Sequence, residues 1–106
     1  MIVVVTTDLD RLFAALADPR RRRVVELLRD GPRRAGDLAE ASQTSAPVMS
    51  RHLRVLMSAG LIDDERSPVD ARVRLFFLRH EALADMQSWL ADETRLSAED
   101  LELFQP

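Results

Sequence analysis

A mainly α-helical domain of about five helices, completed by one small antiparallel β-hairpin, is what this sequence predicts, on three observations. Apolar residues recur at helical spacing through most of the first 60 positions and again near 81–92. Over residues 61–78 the spacing changes to two, with a turn-rich segment separating two short runs. Finally, 106 residues at 46% hydrophobic and 31% charged suit one folded domain and leave no room for a second.

From Asp8 to Ala17 the sequence sets Leu9, Leu12, Phe13 and Leu16 at i, i+3, i+4 and i+7, the apolar stripe of an amphipathic first helix. Asp18-Pro19 starts a second, because an Asp side chain accepts free amide hydrogens and Pro suits the first turn. Its apolar positions are Val24, Val25, Leu27 and Leu28, and Gly31-Pro32 stops it. The basic run Arg20–Arg23 lies in its first turn, where positive charge opposes the helix dipole. A solvated face, with Arg22 paired to Glu26, is therefore a simpler role for the run than phosphate contact.

A short third helix is expected over Gly36–Ala41, with Leu38 and Ala39 inward. The polar break Ser42-Gln43-Thr44 leads to a fourth helix, capped by Thr44 or Ser45, running to Ala59 and ended by Gly60. Met49, Leu53, Leu56 and Met57 share one side of it, and Pro47, Ser50, Arg51, Arg54 and Ser58 share the other. Strands are expected over Leu61–Arg66 and Arg72–Leu78 around the turn Ser67–Ala71, with Val73, Leu75 and Phe77 on one face and Arg72 and Arg74 on the other. A fifth helix, Glu81–Asp92, carries Leu83, Met86, Leu90 and the sole tryptophan, Trp89. The domain thus spans 1–92, and 93–106 form an acidic tail in which the sequence allows a short helix at Ser97–Phe104.

The net charge of −3 would by itself argue against a nucleic-acid partner, but its distribution argues for one. Residues 11–80 carry 14 arginines against nine acids, net +5, whereas residues 81–106 carry one arginine against seven acids, net −6. There is no cysteine, which excludes disulfides, thiolate metal sites and cysteine nucleophiles. Two histidines without a Ser or Cys partner at a motif spacing, and only three glycines in the chain, leave nothing to carry catalysis or cradle a phosphate. The apolar start Ile2–Val5 is too short for a signal-peptide core, no run reaches the length of a membrane span, and a cytoplasmic location is expected.

Helix, helix, short helix, tight turn, longer helix and arginine-tipped hairpin is a winged helix-turn-helix layout. A helix fits the major groove of duplex DNA, and its outer face must be slim near its start for the backbone to approach. Ser45, Ala46, Pro47 and Ser50 supply small groups there, while Arg51 and Arg54 supply donors for guanine edges or phosphates. His52 flanks the apolar side and is either structural or a further DNA contact. At the hairpin tip Arg66, Arg72 and Arg74 can reach the flanking backbone or minor groove. Leu9, Leu12, Phe13 and Leu16, with Leu83, Met86, Trp89 and Leu90, offer more apolar surface than so small a domain easily buries, which favours a homodimer seam. The competing expectation is a winged helix used as a protein-interaction module, which would have no need for small groups and two arginines on the fourth helix.

Four segments carry a resemblance to a known family: Ala15-Leu16-Ala17-Asp18-Pro19 with Arg21-Arg22, Gly36-Asp37-Leu38-Ala39-Glu40, Ser50-Arg51-His52-Leu53-Arg54-Val55-Leu56, and Ala59-Gly60-Leu61. In this order and spacing they resemble the ArsR family of bacterial transcription regulators, over about residues 9–92. The resemblance implies a homodimer joined through its first and last helices, binding a roughly palindromic operator, usually as a repressor released by an effector. Two positions depart from the pattern: Gln43 stands where the family often has glycine, and Ala46 where a glutamine is common. The family's metal sites, built on cysteines or on Asp, His and Glu of the last helix, have no counterpart, since that region offers only His80 with Glu81 and Asp85 nearby. A non-metal-sensing member without a cofactor is expected. Its effector, if one exists, is an organic molecule or a protein, and the alternative is control by the regulator's own abundance.

Overall fold

The computed structural model describes residues 8–103, with side chains through Arg95; the apolar start at Ile2–Val5 and Phe104 lie outside the described residues. The elements are α1 (Leu9–Leu16), α2 (Pro19–Leu27), α3 (Ala35–Ala41), α4 (Ala46–Ser58), β1 (Ile62–Arg66), β2 (Arg74–Leu78) and α5 (His80–Leu103), with one 3₁₀ turn at Leu28–Asp30. Three helices start on capping side chains: Asp8 accepts from the Arg11 amide at 3.2 Å, Asp18 from Arg20 at 2.7 Å and Ser45 from Val48 at 3.3 Å. Each pairs a first-turn N–H that the helix itself leaves open.

α3 and α4 end in the same way. After α3 the Thr44 amide donates to the Ala39 carbonyl at 3.0 Å and the Gln43 amide to Glu40 at 3.1 Å; after α4 the Leu61 amide donates to Leu56 and the Gly60 amide to Met57, both at 3.0 Å. This paired closure needs a left-handed residue in its middle. Gly60 supplies it at φ +82°, and Gln43 supplies it at φ +53° despite its side chain. The short turn between α3 and α4 therefore survives the departure from glycine.

Two arginines of the basic run close the α1–α2 corner. Arg21 donates to the Ala15 and Ala14 carbonyls at 2.6 and 3.3 Å, and Arg22 to those of Leu16 and Ala17 at 2.7 and 3.2 Å. These lie at the C-terminal end of α1, where a helix leaves carbonyls short of partners; that of Ala14 also accepts from the Ala17 amide at 3.2 Å. Arg22 is consequently not the partner of Glu26; Arg23 takes that place, at 3.5 Å.

Leu12, Val24, Leu38, Met49, Leu56, Leu61 and Ile62 form the innermost core, drawn from every helix but α5, which adds Ala82 and Met86. Full burial of each such side chain is worth about 1.5–3 kcal/mol. Leu12 and Met86 thus belong to the core of the single chain and not to a dimer seam, while Leu9, Leu16 and Leu83 pack half-buried against it.

β1 and β2 pair antiparallel with Ile62 opposite Leu78 and Arg66 opposite Arg74. The strand alternation holds, but the core face is the one carrying Phe76 and Leu78, and Val73, Leu75 and Phe77 are only half-buried on the other. The cause is cross-strand: Ile62 leaves α4 into the core, so its partner Leu78 points the same way, and Phe76 two residues earlier follows. β2 begins at Arg74, which leaves Arg72 in the turn. A backbone pair between Arg33 and Phe76, at 3.0 and 2.8 Å, covers part of the other edge of β2.

The expected break after Asp92 is absent. α5 runs as one helix for 24 residues to Leu103, about 36 Å at 1.5 Å per residue. No Gly or Pro interrupts 81–103, and acidic side chains do not stop a helix.

Candidate nucleic-acid interface

Ser45, Ala46, Pro47, Ser50, Arg51 and Arg54 all lie exposed at the start and along the outer side of α4, with Met49, Leu53 and Leu56 buried behind them. The core thus grips one side of the helix and presents a slim, basic strip on the other. Among the described residues no carboxylate pairs with Arg51 or Arg54, although six other arginines of this small domain do find an acid. Unpaired guanidiniums keep their planar donors open for base edges or phosphates.

His52 is not on that strip. It is 8% exposed, and its Nε2 has no hydrogen-bond partner among the described residues. It sits on the inner side of α4 toward the start of α2. The Asp18 carboxyl there is held below its ordinary value by the Arg20 amide first, then by the charges of Arg21 and His52, against partial desolvation. Packing between α4 and α2 therefore claims the residue, and its role as a DNA contact is withdrawn.

The wing carries three exposed arginines in two different states. Arg72 binds Asp70 with two bonds, at 3.1 and 3.0 Å, and this contact lowers the pKa of Asp70 and raises that of Arg72. Arg74 pairs with Asp64 and lies 4.8 Å over the ring of Phe76. Arg66, across the ladder from Arg74, has no acidic partner among the described residues. Single-sequence reading counts the wing's arginines but does not see which acids the turn folds against them.

Val55 was not singled out by the sequence pattern. It is 41% exposed on α4 beside Arg54, and its sequence signal is an apolar residue outside the buried stripe, one heptad after Val48. On the far side of the domain the Phe13 and Trp89 rings meet edge to face, 5.5 Å apart at 65°, tying α1 to α5. Phe13, Trp89 and Leu90 all remain partly open to solvent. Among the described residues no group of three or more His, Cys, Asp or Glu is arranged to hold a metal ion, and no helix is long and apolar enough to cross a membrane.

Residues 18–64, from the cap of α2 into β1, match the family model described as "Bacterial regulatory protein, arsR family". The chain is also 32% identical over 93 residues to the transcriptional repressor SdpR of Bacillus subtilis, an alignment covering 88% of this chain and 100% of that protein. The chain belongs to the ArsR family. This ArsR-family regulator is 40% identical over 79 residues to the HTH-type transcriptional regulator Rv2034 of Mycobacterium tuberculosis, covering 74% of the one and 71% of the other. The crystal structure of an ArsR family transcriptional regulator superposes on it with a TM-score of 0.73 at 31% identity, over 85% of this chain and 90% of that chain. A homodimeric winged helix-turn-helix DNA-binding domain from Mycobacterium bovis has the same fold, with a TM-score of 0.62 at 23% identity over 98% of each chain. As a member of a family of DNA-binding transcriptional regulators, the ArsR-family protein described here is not an enzyme.

Proposed function

We propose that this regulator is a homodimeric repressor that places the α4 of each protomer in successive major grooves of a palindromic operator, with half-sites about 34 Å apart. The observation that carries the proposal is the pair Arg51 and Arg54, exposed, without an acidic partner among the described residues and set beside the small residues Ala46, Pro47 and Ser50. On this reading Ser45 to Ser50 admit the DNA backbone, Arg51 and Arg54 donate to guanine edges or phosphates, and Arg66 of the wing meets the flanking backbone. Arg72 and Arg74 act mainly by shaping the wing, because each is already held by an acid. Dimerisation is supported by the exposed Phe13, Trp89 and Leu90, and repression by the similarity to the transcriptional repressor SdpR of Bacillus subtilis.

Fluorescence anisotropy on a duplex from the regulator's own promoter tests the assignment. Arg51→Ala and Arg54→Ala should each weaken binding by about 1–3 kcal/mol if they read bases. Where either contacts a phosphate instead, the salt slope should fall by about one. Sedimentation should meanwhile show the same oligomer for both variants and wild type. Unchanged affinity in both variants refutes the proposal.

A further inference from the structure

Behind the DNA-facing strip, between the C-terminal half of α1 and that of α4, lies an open groove of about 570 Å³. Its floor is apolar, made by Ala14, Ala15, Val55 and Ala59, and its rim carries Arg11, Arg21 and Arg54. A smaller hollow of about 280 Å³ adjoins it, sharing Val55 and Arg21 and adding Arg20 and Arg51. Among the described residues no acid lines either hollow. The volume falls in the ~300–1,000 Å³ range of small-molecule sites, and such sites combine an apolar body with a few placed polar groups.

The rim arginines are not equivalent. Arg21 is held by the α1 carbonyls and Asp18, and Arg11 pairs with Asp8 at 3.3 Å, so both are fixtures of the wall. Arg54, Arg51 and Arg20 have no acidic partner among the described residues. An apolar floor beside unneutralised guanidiniums is complementary to one kind of occupant, a carboxylate on an apolar body.

We infer that this groove is an effector site for an amphipathic organic carboxylate, whose acid group engages Arg54 while its apolar part covers Val55, Ala14 and Ala59. Arg54 stands on the ridge between the groove and the outer strip of α4, and lines hollows on both sides of it. A carboxylate that holds the Arg54 guanidinium toward the groove draws it from the outer strip and neutralises its charge there, so occupancy releases the operator. The release half of the inference rests on the DNA-reading assignment made above; the binding half does not.

Sodium octanoate is the probe, with 1-octanol as its uncharged counterpart. Isothermal titration calorimetry should show saturable octanoate binding to the wild-type protein and at least tenfold weaker binding of 1-octanol. Ala14→Glu puts a carboxylate on the α1 wall, away from the helix that reads DNA, and should lower octanoate affinity tenfold or more. Ala14→Gln, of the same size without the charge, should bind octanoate more tightly than Ala14→Glu, and equal melting of the two variants by circular dichroism separates loss of binding from loss of fold. On the promoter duplex, octanoate at groove-saturating concentration should release the wild type and leave Ala14→Glu bound. No saturable binding, equal binding of 1-octanol, or octanoate binding indifferent to Ala14→Glu overturns the site. Binding as expected with no effect on bound DNA overturns the release mechanism alone. Groove binding in a protein that binds no DNA overturns the repressor proposal and leaves the site standing.

Discussion

The two matched helix ends allow one perturbation to be run in both directions. α3 and α4 close with the same pair of backbone hydrogen bonds, all between 3.0 and 3.1 Å, around Gln43 at φ +53° in one case and Gly60 at φ +82° in the other. A left-handed conformation costs an ordinary residue roughly 1–2 kcal/mol, and the greater chain entropy of an unfolded glycine returns about 0.5–1 kcal/mol of the gain from replacing it. Gln43→Gly should therefore stabilise the fold by about 0.5–1 kcal/mol. Gly60→Ala should destabilise it by a similar amount, and purely through the backbone, because a Cβ at Gly60 meets nothing within 4 Å. For a domain of this size that is about 2–5 °C up for the first and down for the second. Thermal and urea unfolding followed by circular dichroism, at one fixed protein concentration because association shifts apparent stability, reads both. A destabilised Gln43→Gly, or a Gly60→Ala as stable as wild type, refutes the backbone reasoning. The same Gln43→Gly protein should bind DNA as the wild type does, since the turn keeps its shape.

Trp89→Ser removes the ring that meets Phe13 and part of the exposed apolar surface; loss of about 2 kcal/mol of association, some 30-fold in Kd, should appear as monomer in sedimentation at micromolar concentration. An unchanged dimer would place the seam elsewhere. In the wing, Arg66→Ala should lower the slope of log affinity against log salt by about one, and Arg72→Ala by less, because Asp70 already neutralises Arg72. Equal slopes for the two would contradict the distinction. Asp18 has a lowered folded pKa, so its contribution to stability is complete above the ordinary carboxylate value near 4 and is lost as pH falls through the lowered one. Asp18→Asn keeps a capping oxygen without a titrating group, and its urea midpoint should drop less than that of the wild type between about pH 7 and pH 3. An identical drop would remove Asp18 from the acid response.

Local chemistry made most of the fold legible. Asp8, Asp18 and Ser45 cap their helices within three residues of themselves, and Gly60 ends α4 through its own φ, so a short window contains the whole cause. The slim basic strip of α4 was legible for the same reason, as a matter of helical phase. What a window does not contain is a partner distant in sequence. Phe76 faces the core because Ile62 does, 14 positions earlier, and the run Leu75–Leu78 is apolar at both phases and offers no local choice. Arg21 and Arg22 reach back to carbonyls five to seven residues away across a corner, which an i+4 rule for charged pairs overlooks. His52, at the edge of the apolar side, was open to either role until α2 was packed against it, and Arg74 looked free until the hairpin brought Asp64 to it. The acidic tail read as a separate unit because composition changes there, whereas backbone continuity depends on helix breakers, and none is present before Leu103.

The central claim is that α4 reads a particular DNA sequence twice. Footprinting of the wild-type protein on its own promoter, with an unrelated duplex in competition at physiological salt, tests it most directly. Two protected, inversely related half-sites with centres about 34 Å apart, persisting against the competitor and lost with Arg51→Ala or Arg54→Ala, are expected. Protection that the unrelated duplex abolishes, or that spreads without two-fold symmetry, would contradict it.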